Sequence, residues 1–223
     1  MSDLAEAPTF PPLMRGERVA ASPFAQAIRR AKDGADPGLV IWRGGAALDA
    51  AVLLAPEVPL ARALEMVPAA MVALRDALGA IGPSEMPVHL DWPATVRVNG
   101  GRCGRLRAAA PTGDAAAEPD WLVVGLSLAF AAPPDGGRRP DETGLHAEGA
   151  GDLAPEAILE SWTRHLMHRI AEWEERGPRV LHDEWTAAAW KSEGWVGLDE
   201  GFGAIRKGAD GTLRIVPLME VLE

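Results

Sequence analysis

The chain has no tyrosine, a single cysteine and no long uncharged apolar run. Each absence excludes something. With Cys103 alone there can be no intrachain disulfide, and a reducing, cytoplasmic setting is expected. A membrane-spanning helix needs about 18 or more successive apolar residues, and no such stretch is present. The opening Met1-Ser2-Asp3-Leu4-Ala5-Glu6 is acidic and lacks the basic-then-apolar order of a signal peptide. Positive charge is scarce as well: 22 Lys and Arg stand against 32 Asp and Glu, a net charge of −10. Phosphate backbones reward clustered cations, so nucleic acid is not expected as a partner. An anionic membrane surface is disfavoured for the same reason.

What is present reads as a globular protein. The 223 residues are 48% hydrophobic and 24% charged, with eight Trp. That length allows one large domain with a small appendage. Residues 1–21, with Pro8, Pro11 and Pro12, read as an extended arm. Ser22 and Pro23 open a helix with Phe24, Ala27, Ile28 and Ala31 on one face, ended by Gly34. Leu39 to Trp42 and Ala51 to Leu54 read as buried strands. Leu64, Val67, Met71, Leu74 and Leu78 form a helical stripe. Pro68 within it predicts a kink or a later start.

Val88 to Trp92 reads as a strand, and Thr95 to Val98 with Cys103 to Arg107 as a hairpin turned by Asn99-Gly100. Ala108 to Asp120 reads as a loop and Trp121 to Phe130 as a central strand. Residues 131–151, with Pro133, Pro134, Gly136, Gly137 and Pro140, read as a surface loop. Pro155 opens a long helix with Leu159, Trp162, Leu166, Ile170 and Trp173 on one face, and a further helical piece covers Arg179 to Trp190. The tail reads as three short strands, the last two joined at Asp210-Gly211. This gives an arm at 1–21, a main domain at 22–190 and a small β domain at 191–223.

The stretch Val88-His89-Leu90-Asp91-Trp92-Pro93-Ala94-Thr95-Val96-Arg97-Val98-Asn99-Gly100-Gly101-Arg102-Cys103-Gly104-Arg105-Leu106 resembles the signature of biotin protein ligases. That signature is an apolar strand, Lys-Trp-Pro-Asn-Asp, a short strand, an Asn-Gly turn, a basic residue and a Gly-Ile-Leu strand. Trp92-Pro93 and Asn99-Gly100 match it in identity and spacing. Val124-Gly125-Leu126-Ser127-Leu128 is similar to the family's Gly-Ile-Asn strand, with Ser127 at the Asn position. Gly197 to Ile205 resembles part of its small C-terminal β domain.

The resemblance, to the biotin/lipoate A/B protein ligase family, implies an α+β fold. Its mixed β-sheet is flanked by helices in the manner of class II synthetases and biotin ligases, with a small SH3-like β barrel at the C-terminus. It also implies the family's activity: ATP with Mg activates biotin, lipoate or a related small carboxylic acid, and the acyl group passes to a lysine of an acyl-carrier domain. The positions it marks as ligand-binding candidates are Arg43, Gly44, Gly45, Asp91, Trp92, Asn99, Arg102, Gly104, Arg105, Gly125 and Ser127.

The sequence departs from the family at three places. Asp91 stands where the family keeps its catalytic lysine, whose cation offsets charge that builds up during adenylation. One charge pair at ~4 Å and an effective dielectric of ~20 is worth roughly 4 kcal/mol, so a change from +1 to −1 is a swing of about 8 kcal/mol. Ala94-Thr95 replaces the Asn-Asp that would serve the nucleotide. Arg43-Gly44-Gly45 is a short remnant of the glycine- and arginine-rich loop that closes over the adenylate, too short to wrap one.

Other chemistry-bearing residues are sparse. Arg97, Arg102, Arg105 and Arg107 form a positive cluster that reads either as solvated strand residues or as a carboxylate site. Cys103 reads as a core residue or a nucleophile. His165 and His168 share a helix edge without a zinc spacing, so no metal is expected. Three functions remain open: a ligase impaired in adenylation that keeps an acid or carrier site, an acyltransferase or ligase with altered catalytic residues, and a non-catalytic interaction module or homodimer.

Overall fold

The computed structural model describes residues 7–132 and 141–223. Of the loop read at 131–151, the prolines and glycines between 133 and 140 lie outside those residues. Among the described residues, ten strands and five α-helices follow in order: β1 (Arg15–Arg18), α1 (Pro23–Lys32), β2 (Leu39–Arg43), β3 (Ala47–Leu54), α2 (Leu60–Ala63), α3 (Met66–Ile81), β4 (Val88–Asp91), β5 (Thr95–Val98), β6 (Gly101–Ala109), β7 (Leu122–Ala129), α4 (Pro155–Arg176), α5 (Arg179–Ala187), β8 (Trp195–Leu198), β9 (Ala204–Lys207) and β10 (Leu213–Val216). Strands β1 to β7 form one mixed sheet in the order β1-β2-β3-β7-β6-β5-β4, and β8 to β10 form a separate three-stranded antiparallel sheet. Part of the stretch read as an extended arm is β1, which pairs parallel with β2. Among the described residues, no helix is long and apolar enough to cross a membrane.

Alternation along the strands divides the sheet into two faces. Val40, Trp42, Leu48, Ala50, Val52, Leu126 and Leu128 point into the larger core, beneath α3 and α4. Ile41, Ala51, Leu53 and Val123 point to the other face and pack with Phe24, Ala27 and Ala31 of α1. The Ser22 hydroxyl caps α1 by accepting from the Ala25 amide. A Cβ on Gly125 would lie 2.5 Å from the Phe24 ring, so glycine there lets the helix approach.

Helix α3 is buried on nearly every side, between the sheet and α4. Pro68 falls in its first turn, where a missing N–H costs nothing, so the helix begins late and is not broken. Arg169 of α4 is 2.6 Å from Asp76 of α3, 2.8 Å from Glu172 and 2.7 Å from Glu184 of α5, which ties the three helices together.

The helical piece ends at Ala187, short of the expected Trp190. Residues 188–190 instead run along the outer edge of β4. The Leu90 amide donates to Ala188 O at 2.9 Å, and the Trp190 amide donates to Leu90 O at 2.7 Å. Asn99 (φ 49°) and Gly100 (φ 85°) make the expected hairpin turn.

Candidate functional site

The α1 helix covers only part of its face of the sheet. Beside it, strand register lines up one polar residue from each of six strands. Asp91 pairs with Thr95, Thr95 with Arg105, Arg105 with Ser127, Ser127 with Asp49, and Asp49 with Arg43. Their neighbours along each strand face the larger core, so all six point to the α1 side. At ~4.8 Å per strand the row spans about 24 Å. The N-terminal end of α1 borders it: Arg43 reaches the carbonyl of Ala20, and the Arg107 guanidinium lies 4.1 Å over the Phe24 ring.

The row has two different ends. At the β4 edge, the Asp91 carboxylate accepts from Arg97 Nε at 2.7 Å. The same guanidinium donates to Gly100 O at 2.8 Å and lies 4.9 Å over the Trp190 ring. Both side chains of the ion pair are only 14% exposed. His89 packs edge-on against Trp190, their centroids 5.5 Å apart. The added edge segment thus lays an indole over the guanidinium that holds Asp91.

Toward the middle, the row is open. The Arg105 side chain is 73% exposed, and Ser127 is exposed beside it. One carboxylate oxygen of Glu223 lies 3.5 Å from Arg105, and the other lies 3.5 Å from Arg107. Glu223 is brought there by its backbone, whose amide donates to Ala108 O at 2.8 Å. Further along, Asp49 accepts from Ser127 at 2.7 Å and pairs with Arg43 at 2.5 Å. Every carboxylate at the site therefore already holds an arginine. The chain's lysines are Lys32, Lys191 and Lys207, and none lies in the row.

The sequence-derived candidates divide on this geometry. Arg43, Asp91, Arg105 and Ser127 come together in the row, with Gly125 beside it under Phe24. Gly44 and Gly45 form the β2–β3 turn, where Gly44 sits against Pro155 and Glu156 of α4. Trp92 points away: its indole N–H donates to Phe202 O at 2.9 Å, and the ring borders a cavity of about 410 Å³ against Arg206 and Arg214 of the small sheet. Asn99 donates to Glu148 at 2.8 Å, and Arg102 pairs with Asp141 at the surface. Gly104 faces Leu128 in the core.

Asp49, Thr95, Trp190 and Glu223 are part of the site without having been singled out as binding candidates, while Arg107 belongs to the arginine cluster read as a possible carboxylate site. Asp49 was legible as the polar residue alternating between Leu48 and Ala50. Trp190 and Glu223 carry no such signal, because long-range backbone contacts bring them in.

Cys103 is buried, its thiol donates toward Ala129 O at 3.4 Å, and desolvation pushes its pKa up to about 12. It is a buried core thiol whose surroundings disfavour the thiolate. His165 Nδ1 lies 2.8 Å from Ser161 O within its own helix. Among the described residues, no group of three His, Cys, Asp or Glu could hold a metal ion.

A seven-stranded mixed sheet flanked by helices matches the fold of the biotin protein ligases. The model of the Biotin/lipoate A/B protein ligase family matches residues 10–187. The chain belongs to this family. It is similar to the crystal structure of a biotin protein ligase-like protein of unknown function from Silicibacter sp. TM1040, with 45% identity and a TM-score of 0.91 over 97% of this chain and 100% of that one. Its fold is also that of the Aquifex aeolicus biotin protein ligase in complex with biotin and ATP (16% identity, TM-score 0.68, 92% of this chain and 95% of that one). The Leishmania major biotin protein ligase in complex with biotinyl-5-AMP shares it too (16% identity, TM-score 0.58, 92% and 98%). No curated protein matches the sequence.

Proposed function

We propose that this chain is a biotin/lipoate ligase-fold protein impaired in ATP-dependent adenylation, and that it binds a small carboxylic acid or an acyl-carrier domain on the open part of the row. The observation that carries this is the Asp91–Arg97 pair under Trp190. A neutral ion pair stands where the family keeps a lysine cation. Because Arg97 cancels Asp91, the loss relative to lysine is one charge. At ~4 Å and an effective dielectric of ~20 that is roughly 4 kcal/mol, or about three decades in rate.

ATP with Mg does not fit these residues. Asp49 and Asp91 are each committed to an arginine, Thr95 follows Ala94, and the β2–β3 turn offers too few backbone amides to cradle a phosphate. Arg105 and Arg107 have the chemistry to accept a carboxylate, and Glu223 already lies on both. Exposed ion pairs are worth about 0–1 kcal/mol each, so an external carboxylate can displace it.

Calorimetric titration with biotin, lipoate and octanoate, without ATP, tests the reading. Binding is expected to weaken about tenfold in Arg105→Ala and to strengthen in Glu223→Gln. Binding unchanged by both substitutions would move the site elsewhere, and no binding of any acid or of a carrier domain would sink the proposal.

A second reading, an interaction module, is favoured by the small sheet. Val196, Leu213 and Ile215 are 51%, 63% and 59% exposed there, and β10 is an edge strand. Light scattering that shows a monomer at all concentrations would remove self-association through this face.

A further inference from the structure

A cavity of about 680 Å³ opens on the α3/α4 side of the sheet, at the far end of β3 from Asp49. Leu54, Met66, Ile170 and Trp173 give it an apolar wall, and Glu57 and Glu174 stand on its lining. Both carboxylates are exposed, and neither has an ion-pair or hydrogen-bond partner among the described residues. A cation that lies against the Trp173 ring is already paired. Arg62 pairs with the buried Glu65 at 3.0 Å while its guanidinium lies 5.2 Å over the Trp173 ring. Glu65 in turn accepts from the Trp173 indole N–H at 2.6 Å.

The cavity thus combines an apolar wall with two uncompensated negative charges, and its size falls in the range of small-molecule sites, roughly 300–1,000 Å³. An anionic acid would be repelled from it. A neutral apolar molecule would leave both carboxylates unanswered. The complementary ligand has an apolar body and one positive charge. The stacked Arg62 shows that Trp173 tolerates a cation on its face.

We propose that this cavity is a binding site for a small amphiphilic cation, an alkyl- or aralkylammonium, with the chain against Leu54, Met66 and Ile170 and the ammonium held between Glu57 and Glu174. The site shares no residue with the polar row, and its occupancy does not depend on what the row binds. Affinity is expected to rise about fourfold per added methylene while the chain is still being buried. It is also expected to fall with added salt.

The test is calorimetric titration of the full chain with octylammonium, octanoate and octan-1-ol. It is run in the double Arg105→Ala, Arg107→Ala background, which removes both guanidinium partners for a carboxylate at the row. Octylammonium is expected to bind at least tenfold more tightly than octanol, and octanoate more weakly than either. The double substitution Glu57→Gln with Glu174→Gln alters only exposed side chains. It should reduce octylammonium affinity at least tenfold and leave octanol unchanged. Octanoate binding as tightly as octylammonium, or octylammonium binding unaffected by the double substitution, would overturn the proposal.

Discussion

Asp91 and Arg105 lie two strands apart in the same row and face the same side of the same sheet, yet their surroundings differ sharply. Asp91 is locked to Arg97, whose guanidinium is stacked on Trp190. Arg105 stands in solvent, with the Glu223 carboxylate 3.5 Å away. The difference arises from the edge of the sheet, where residues 188–190 add to β4 and leave the middle of the row uncovered. The covered end has committed its carboxylate to one internal guanidinium. The open part has made no such commitment, and can exchange one carboxylate for another.

The contrast can be broken from either side. The largest effect is expected for Asp91→Lys, which installs the lysine that the proposed reading assigns to this position in the family. It would set an ammonium against the Arg97 guanidinium and remove its partner, costing about 4 kcal/mol in urea unfolding. It should not restore adenylation, because the β2–β3 turn and Ala94 are unchanged. Arg97→Ala strands Asp91 and should cost about 3 kcal/mol. A double substitution, Asp91→Ala with Arg97→Ala, should cost less than the sum of the two single ones, with a coupling above about 1 kcal/mol. Additive losses would mean that the pair is not a unit.

Cys103 lies on the core face between these regions and offers an intermediate effect. Its folded-state pKa is raised from 9.0 to about 12, mainly by desolvation. The folded state therefore holds the proton where the unfolded state has lost it, and stability falls as pH rises above 9.0. At pH ~10 the loss is about 1 kcal/mol, and it should vanish in Cys103→Ala. Native protein should also resist thiol alkylation until it unfolds. The smallest effect is expected for Arg105→Ala. It should change stability by less than about 0.5 kcal/mol, because its ion pair is exposed, while weakening carboxylate binding. A large loss of stability there would erase the contrast.

Much of the fold was legible because local signals agreed. Ser22-Pro23 and Gly34 bracket α1, and Asn99-Gly100 turns the hairpin that sets the register of the row. The resemblance around Trp92-Pro93 pointed to the right sheet, and the substitution at Asp91 was visible in the sequence. Its meaning was not. Taken alone, Asp91 reads as a reversed charge worth about 8 kcal/mol, while the Arg97 guanidinium beside it makes a neutral pair and halves that figure. Thr95 and Asp49 needed strand register before they could join the row. Trp190 was read as the end of a helix. Only its pairing with Leu90, a hundred residues away in sequence, stacks it on the Arg97 guanidinium. Glu223 reaches Arg105 and Arg107 by a similar long-range contact.

The central claim is that the neutral pair at the lysine position removes efficient adenylation. The most direct measurement is ATP–pyrophosphate exchange with biotin, lipoate and octanoate in turn, beside a working biotin protein ligase. Exchange about three decades or more below the working enzyme is predicted for every acid. Exchange within about tenfold of it, for any one of them, would contradict the account.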